Sequence, residues 1–122
     1  MTPQDPFALA LGMEIVEQNP ETCTLRLTVT PQLLNGMGIL HGGALATLVD
    51  EAMGLAIHQA APGRRFVTAD LHVRYLNPGM PGTVSAVARV VRLGRRLAVA
   101  EARVSQGEQL LAIATGTWAS VE

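Results

Sequence analysis

The chain has 122 residues, 48% hydrophobic and 16% charged, with a formal net charge of −1; that is one domain with a core of its own, and it excludes a disordered or low-complexity chain. So small a net charge leaves no electrostatic footprint for nucleic acid or an anionic membrane, and 3% aromatic residues leave no stacking platform for bases. All nine basic residues are arginines, which removes chemistry that needs a lysine, such as Schiff-base formation or P-loop phosphate transfer.

The opening "MTPQDPFALALGM" lacks the basic start, long apolar run and cleavage site of a signal peptide, and a single cysteine cannot form an internal disulfide; both point to a cytoplasmic protein. "MEIVEQ" reads as a weak strand, with Asn19-Pro20 as the turn after it. From Thr22 to Thr30 the chain alternates, placing Cys23, Leu25, Leu27 and Val29 on one face of a half-buried strand and Thr24, Arg26 and Thr28 on the other. That phase makes Cys23 a core residue rather than a nucleophile. A loop rich in turn residues, "PQLLNGMGILHGG", leads into an apolar helical segment that Pro62-Gly63 stops. Four further stretches, roughly 65–76, 83–93, 95–106 and 109–118, read as strands joined by "NPGMPG", "LGR" and "QGE", connections short enough for antiparallel neighbours. Val84, Ala86, Ala88 and Val90, like Ala98, Ala100, Ala102 and Val104, are small where sheet and helix must approach. Two strands, one long helix and four strands predict an α+β fold, a curved antiparallel sheet wrapped around one central helix, as a single domain over residues 1–122. No apolar run is long enough for a membrane span, because Asp50 and Glu51 interrupt the longest one.

Those two carboxylates are the conspicuous feature of the helix. Helical periodicity assigns Leu45, Leu48, Val49, Ala52, Leu55 and Ala56 to the sheet-facing stripe, and groups Glu51 with Thr47 and His58 on a polar rim. Asp50 shares its stripe with Gly43, Ala46, Met53, Gly54 and Ile57, mostly small and all uncharged, so another backbone can come close. The pattern predicts a desolvated carboxylate, a candidate for chemistry; the alternative is a local hydrogen bond or an ion pair at a subunit contact. His41-Gly42-Gly43 stands at the helix start, where unpaired amides face outward and can hold a phosphate or a developing oxyanion, or can simply form a turn. The glycines of "GMGILHGG" do not fit a dinucleotide fingerprint, and no βαβ unit follows. Gly42 and Asp50 are eight positions apart, roughly 12 Å of axial rise, so one helix cannot bring both to the same reacting atom. If they cooperate, a two-fold partner supplies the other half.

The pattern N-x₅-H-G-G-x₄-L-x-D, here "NGMGILHGGALATLVD" from Asn35, together with "VTADLHVRYLNP", "LGRRLAVAEARV" and "GTW", resembles the hotdog-fold acyl-CoA thioesterases of the phenylacetate-degradation (PaaI-like) type over about residues 30–118. The resemblance implies a hotdog fold paired into homodimers and, as dimers of dimers, homotetramers, with acyl-CoA as the substrate and no cofactor, since coenzyme A is part of that substrate. It implies Asp50 as catalytic carboxylate, either nucleophile or base, Gly42 as backbone donor to the thioester carbonyl, His41 and Asn35 as shaping that site, Gly43 as a substrate contact, and Thr68 as the hydroxyl that positions water. Serine is commoner at that last position in the family. CoA contacts are implied at Asn77, Pro78 and Gly79 and at Arg92, Gly94, Arg95 and Arg96, where arginines suit phosphates; an exposed charged hairpin would look the same. There is no G-x-S-x-G, and the three histidines show no metal-ligand spacing. His72 shares a strand face with Thr68, Asp70 and Arg74, an interface or solvent face, and His58 near the helix end complements the dipole. The reading is hydrolysis of a small, medium or aryl acyl-CoA to acid and CoA. The competing readings are an acyl-CoA sensor without turnover and a hydratase on the same fold.

Overall fold

The computed structural model describes residues 3–121; of the single domain expected over 1–122, Met1, Thr2 and Glu122 lie outside the described residues. In chain order the elements are helix α1 (Pro6–Ala10), strands β1 (Glu14–Gln18) and β2 (Thr22–Val29), a 3-10 turn (Pro31–Leu33), the long helix α2 (Gly42–Ala60), and strands β3 (Arg65–Tyr75), β4 (Gly82–Leu93), β5 (Leu97–Gln106) and β6 (Gln109–Val121). The strands form one antiparallel sheet in the order β1-β2-β4-β5-β6-β3, wrapped around α2. This is the fold the sequence predicts. The main boundary differences are three: α2 takes in Gly42 and Gly43, which the sequence reads as the end of the loop, β5 starts at Leu97 because Gly94–Arg96 make the hairpin, and β6 runs three residues further, to Val121, while β1 to β4 shift by a single residue each. The five-residue α1 is an addition; Asp5 caps it by accepting from the Phe7 N–H at 3.0 Å, and Pro6 suits its first position.

The core forms where the sheet's inner face meets α2. Leu45, Leu48, Val49, Ala52 and Ala56 are buried against it as the periodicity requires, while Leu55 is only half-buried. Met53 and Ile57, grouped with Asp50 on the sequence pattern, are fully buried and belong to the core, so the open part of that stripe is Ala46, Asp50 and Gly54 with Gly43. Opposite them, Val84, Ala86, Ala88, Ala98, Ala100, Ala102 and Val104 line the inner face, their small side chains letting a 19-residue helix sit against the strands. Cys23 is among them, fully buried, and its thiol is pushed up to about 11 by burial and by the charge of Glu51, as suits a core residue. Trp118 closes one end. It crosses over Gly116, where a Cβ would stand 2.5 Å from the indole ring, and its Nε1 lies 3.5 Å from the place a Cβ would take on Gly54.

β3 is one edge of the sheet and β1 the other. β3 pairs with β6 alone, it is eleven residues long, and it leaves Val67, Leu71 and Tyr75 exposed. A bulge between Thr68 and Asp70 shifts the alternation by one. Thr68 lies opposite the buried Trp118 and so faces inward, whereas Asp70, His72 and Arg74 lie opposite Thr117, Thr115 and Ile113 on the outer face. The shared face that strict alternation assigns to Thr68, Asp70, His72 and Arg74 is therefore split at Ala69.

Candidate active site

The predicted site residues fall into two groups, at opposite ends of β3 and well apart along α2. At the first end, the loop before α2 is built around Asn35. Its side-chain oxygen accepts from the N–H groups of Met37 (2.9 Å) and Ile39 (3.3 Å), its N–H goes to the Ile39 carbonyl, and Gly38 turns through φ 76° between them. Leu40 then donates to the Gly79 carbonyl at 2.8 Å, and His41 to Leu33 at 2.7 Å, which fixes the angle at which α2 begins. His41 is the N-cap: its Nδ1 accepts from the Gly43 N–H at 2.8 Å, so the neutral ring carries its proton on Nε2. The Ala44 and Leu45 amides turn back to the His41 carbonyl. Among the described residues, the Gly42 N–H is left with no acceptor, at the positive end of a 19-residue helix.

Tyr75, which the sequence does not single out, braces this end. Its hydroxyl donates to the Gly42 carbonyl at 2.6 Å, and its ring lies 3.5 Å from where a Gly42 Cβ would be. Burial pushes the Tyr75 hydroxyl pKa up, which keeps it a donor. Asn77 and Gly79 are held structurally too. The Asn77 amide donates to the Leu110 carbonyl at 2.8 Å, and the buried Gly79 lies so close to Leu40 that a Cβ would come within 3.0 Å of that side chain. Pro78 between them is exposed.

At the second end, Asp50 Oδ1 accepts from Thr68 Oγ1 at 2.8 Å. The bulge turns the threonine hydroxyl inward to make this contact. Asp50 and Thr68 line a cleft of about 350 Å³ together with Asp5, Glu51, Gly54, Leu55, Phe66, Val67 and Trp118. Glu51, assigned to a solvated rim on polarity, is instead part of this cleft, and it is the carboxyl that burial marks. Its pKa is pushed up to about 8, first by burial, then by its hydrogen bond with Asp5 and by the charges of Asp5 and Asp50. Helical periodicity misplaced it because α1, which covers that side of α2, was not visible in the pattern. His58 is exposed in the last turn of α2, as read from the sequence.

The β4–β5 hairpin lies beside this second end. Arg95 and Arg96 border a depression of about 560 Å³ with Leu97, Ala119 and Ser120, while Arg92 is exposed on β4 and Gly94 makes the tight approach to the Leu97 carbonyl. Arg64, another residue the sequence reading passes over, ties the hairpin down. Its guanidinium donates to the Gly94 carbonyl at 3.0 Å and to the Arg95 carbonyl, and stacks 4.7 Å from the Phe66 ring centre. A further groove, about 480 Å³, runs over the outer face of the sheet past His72, Arg74, Arg89 and Arg103; it is lined by none of the predicted site residues.

From Thr68 to Tyr75 is seven residues, roughly 20 Å of strand. Asn35, His41, Gly42 and Gly43 are therefore gathered at one place, Asp50 and Thr68 at another, and the protomer does not bring the two together.

Residues 37–113 match the family model described as the thioesterase superfamily. The chain is 33% identical to the medium/long-chain acyl-CoA thioesterase YigI of Escherichia coli (strain K12), covering 93% of this chain and 84% of that protein. It is 32% identical to the acyl-coenzyme A thioesterase PaaI of the same organism, over 89% and 77%. Among solved structures, the E. coli PaaI protein from the phenylacetic acid degradation operon superposes with a TM-score of 0.91 at 30% identity, over 98% of this chain and 86% of that one. A conserved protein of Pseudomonas aeruginosa gives 0.91 at 35% identity, over 96% and 94%.

Proposed function

This chain belongs to the thioesterase superfamily, with the hotdog fold, and from that premise we propose that it hydrolyses acyl-CoA thioesters to the free acid and CoA at sites shared between two copies. The observation that carries the reading is the pairing of a hydroxyl-bound carboxylate, Asp50 with Thr68, in a cleft, with an unpaired helix-start amide, Gly42, which the same chain holds too far away to use. A thioester needs no more. Its carbonyl is activated and its thiolate leaves readily, so a base and an oxyanion donor suffice.

In this reading Asp50 acts as the base. The Thr68 hydroxyl donates to Oδ1 and has lone pairs left to accept from a water, so the two side chains hold the nucleophile between them. Asp50 takes the water's proton as its oxygen attacks the carbonyl carbon. The charge that develops on the carbonyl oxygen is stabilised by the Gly42 N–H of the partner subunit, oriented by the helix dipole; collapse breaks the C–S bond and releases the CoA thiolate, and the proton held on Asp50 passes to the thiolate or to water, which restores the base. His41 and Asn35 act by holding that amide in place, since their side chains cap the helix and close the preceding loop. Arg92, Arg95 and Arg96, with Gly94 and the Asn77–Gly79 turn, are assigned to the CoA nucleotide.

The pairing that completes the site is a two-fold meeting of β3 edges. An exposed eleven-residue edge carrying Val67, Leu71 and Tyr75 is a surface that soluble proteins cover, and antiparallel pairing there places the Asp50 end of one protomer beside the Gly42 end of the other. The outer sheet face, with Val87 and Val91 about half exposed, is where two dimers would join as a tetramer. The test is thiol release from a panel of short, medium, long and aryl acyl-CoAs. Turnover of at least one class, falling by roughly 10²–10⁴ in kcat in a folded Asp50→Asn, is expected. A wild type that binds acyl-CoA but is inert on every class would favour the sensor reading.

A further inference from the structure

We propose that Asp5 and Glu51 form a clasp that holds α1 as one wall of the Asp50 cleft, making Glu51 a positioning residue for the acyl group; this rests on the thioesterase reading above.

Three carboxyl groups, those of Asp5, Asp50 and Glu51, line one cleft whose other walls are Gly54, Leu55, Phe66, Val67, Thr68 and Trp118. No cation is among the described residues that line it. Three like charges in a half-enclosed space cannot all be sustained, and the pair closest to sharing a proton relieves them. Glu51 is pushed up to about 8, and Asp5 is held below the ordinary carboxylate range, first by the hydrogen bond from Glu51 and then by the Phe7 N–H. Glu51 is therefore the donor and Asp5 the acceptor around neutral pH.

The clasp spans two elements. Asp5 is the N-cap of α1, whose Ala8 is fully buried and whose exit leads to the buried Met13, whereas Glu51 belongs to α2 next to Asp50. The titratable neighbours of Glu51 are Asp5 from the start of α1, Asp50 on α2 and the Cys23 thiol on β2; β3 and β6 contribute only Phe66, Val67, Thr68 and Trp118 to the cleft. When Glu51 loses its proton, nothing there compensates its charge, and it repels both Asp5 and Asp50. The Asp50 cleft then loses the wall that α1 provides.

The sign follows from the raised value. The stabilisation is full below the unfolded Glu value near 4.5 and is lost as pH rises through about 8. The experiment measures KM and kcat for a medium-chain acyl-CoA from pH 6.5 to 9.5 in the wild type, Glu51→Gln and Glu51→Ala. In parallel, amide exchange of residues 3–12, corrected for intrinsic rate, is followed at the same pH values. Glutamine keeps a donor toward Asp5 and cannot titrate; alanine removes the clasp. The wild-type KM is expected to rise several-fold across the range with faster α1 exchange, Glu51→Gln to stay flat in both, and Glu51→Ala to show the raised KM and fast exchange at every pH. The same pH dependence in wild type and Glu51→Gln, or α1 exchange that Glu51→Ala leaves unchanged, would overturn the proposal. If α1 exchange follows this pattern while no acyl-CoA is turned over, the clasp stands and the thioesterase reading falls.

Discussion

The two ends of α2 are built on different principles. At the Gly42 end the chemistry belongs to the backbone: Asn35, His41, Tyr75 and the Gly79 carbonyl use their hydrogen bonds to fix a turn and a helix start, and among the described residues the Gly42 amide is left without an acceptor. At the Asp50 end the chemistry belongs to side chains, with three carboxyls and a threonine hydroxyl in a cleft that only the bulge in β3 and the small α1 complete. A backbone donor is rigid and carries no titration, whereas the carboxylate end is tuned by its neighbours. In the proposed mechanism the first end stabilises the electrophile and the second handles the proton, two halves on one helix that each protomer keeps apart and that a two-fold partner would join.

This contrast can be broken from either side. The largest loss beyond that of Asp50→Asn is expected from Gly42→Pro, which removes the free N–H and sets a Cβ in ordinary contact with the Tyr75 ring. Proline suits the first helical position, and His41 already has the extended ψ of 132° that a residue before proline requires. We expect kcat to fall by roughly 10²–10³ with an unchanged Tm; an unaltered kcat would show that the amide does not meet the carbonyl. Next comes Thr68→Val, which keeps the shape and deletes the hydroxyl bonded to Asp50. Losing a hydrogen bond to a charged group predicts a drop in kcat on the order of tenfold, read by steady-state thiol release, with KM little changed. The smallest effect is that of Arg95→Ala with Arg96→Ala, which should raise KM a few-fold for CoA esters and leave thioesters lacking the nucleotide unaffected. Equal changes for both substrates would assign the hairpin arginines to structure.

Much of this architecture is legible in the residues because it is periodic. The alternation of β2, β4 and β5, and the apolar stripe of α2, identify the inner faces one residue at a time, and His41-Gly42-Gly43 with Asp50 stands out as polarity inside that pattern. What stayed hidden is what periodicity cannot carry. The bulge at Ala69 separates Thr68 from His72 although both lie on an even count, and only the pairing of Thr68 with Trp118 reveals it. The five residues of α1 are too few to register as a repeat, and without α1 Glu51 looks like a surface residue. Strand order, with β3 joining the far edge beside β6, depends on contacts between distant residues. Arg64 and Tyr75 hold carbonyls of the loops on which the candidate residues sit, and nothing in their own neighbourhoods signals those bonds; the only local hint is that Tyr75 ends a strand just before a turn.

Mixing two dead variants tests the shared site most directly. Asp50→Asn lacks the base and keeps the amide; Gly42→Pro lacks the amide and keeps the base. After subunit exchange at equal concentrations half of the dimers are mixed, and each mixed dimer regains one intact site of two, so about a quarter of wild-type activity should return. Activity that stays at the level of the separate parents, with exchange demonstrated by mass, would contradict a site made by two chains.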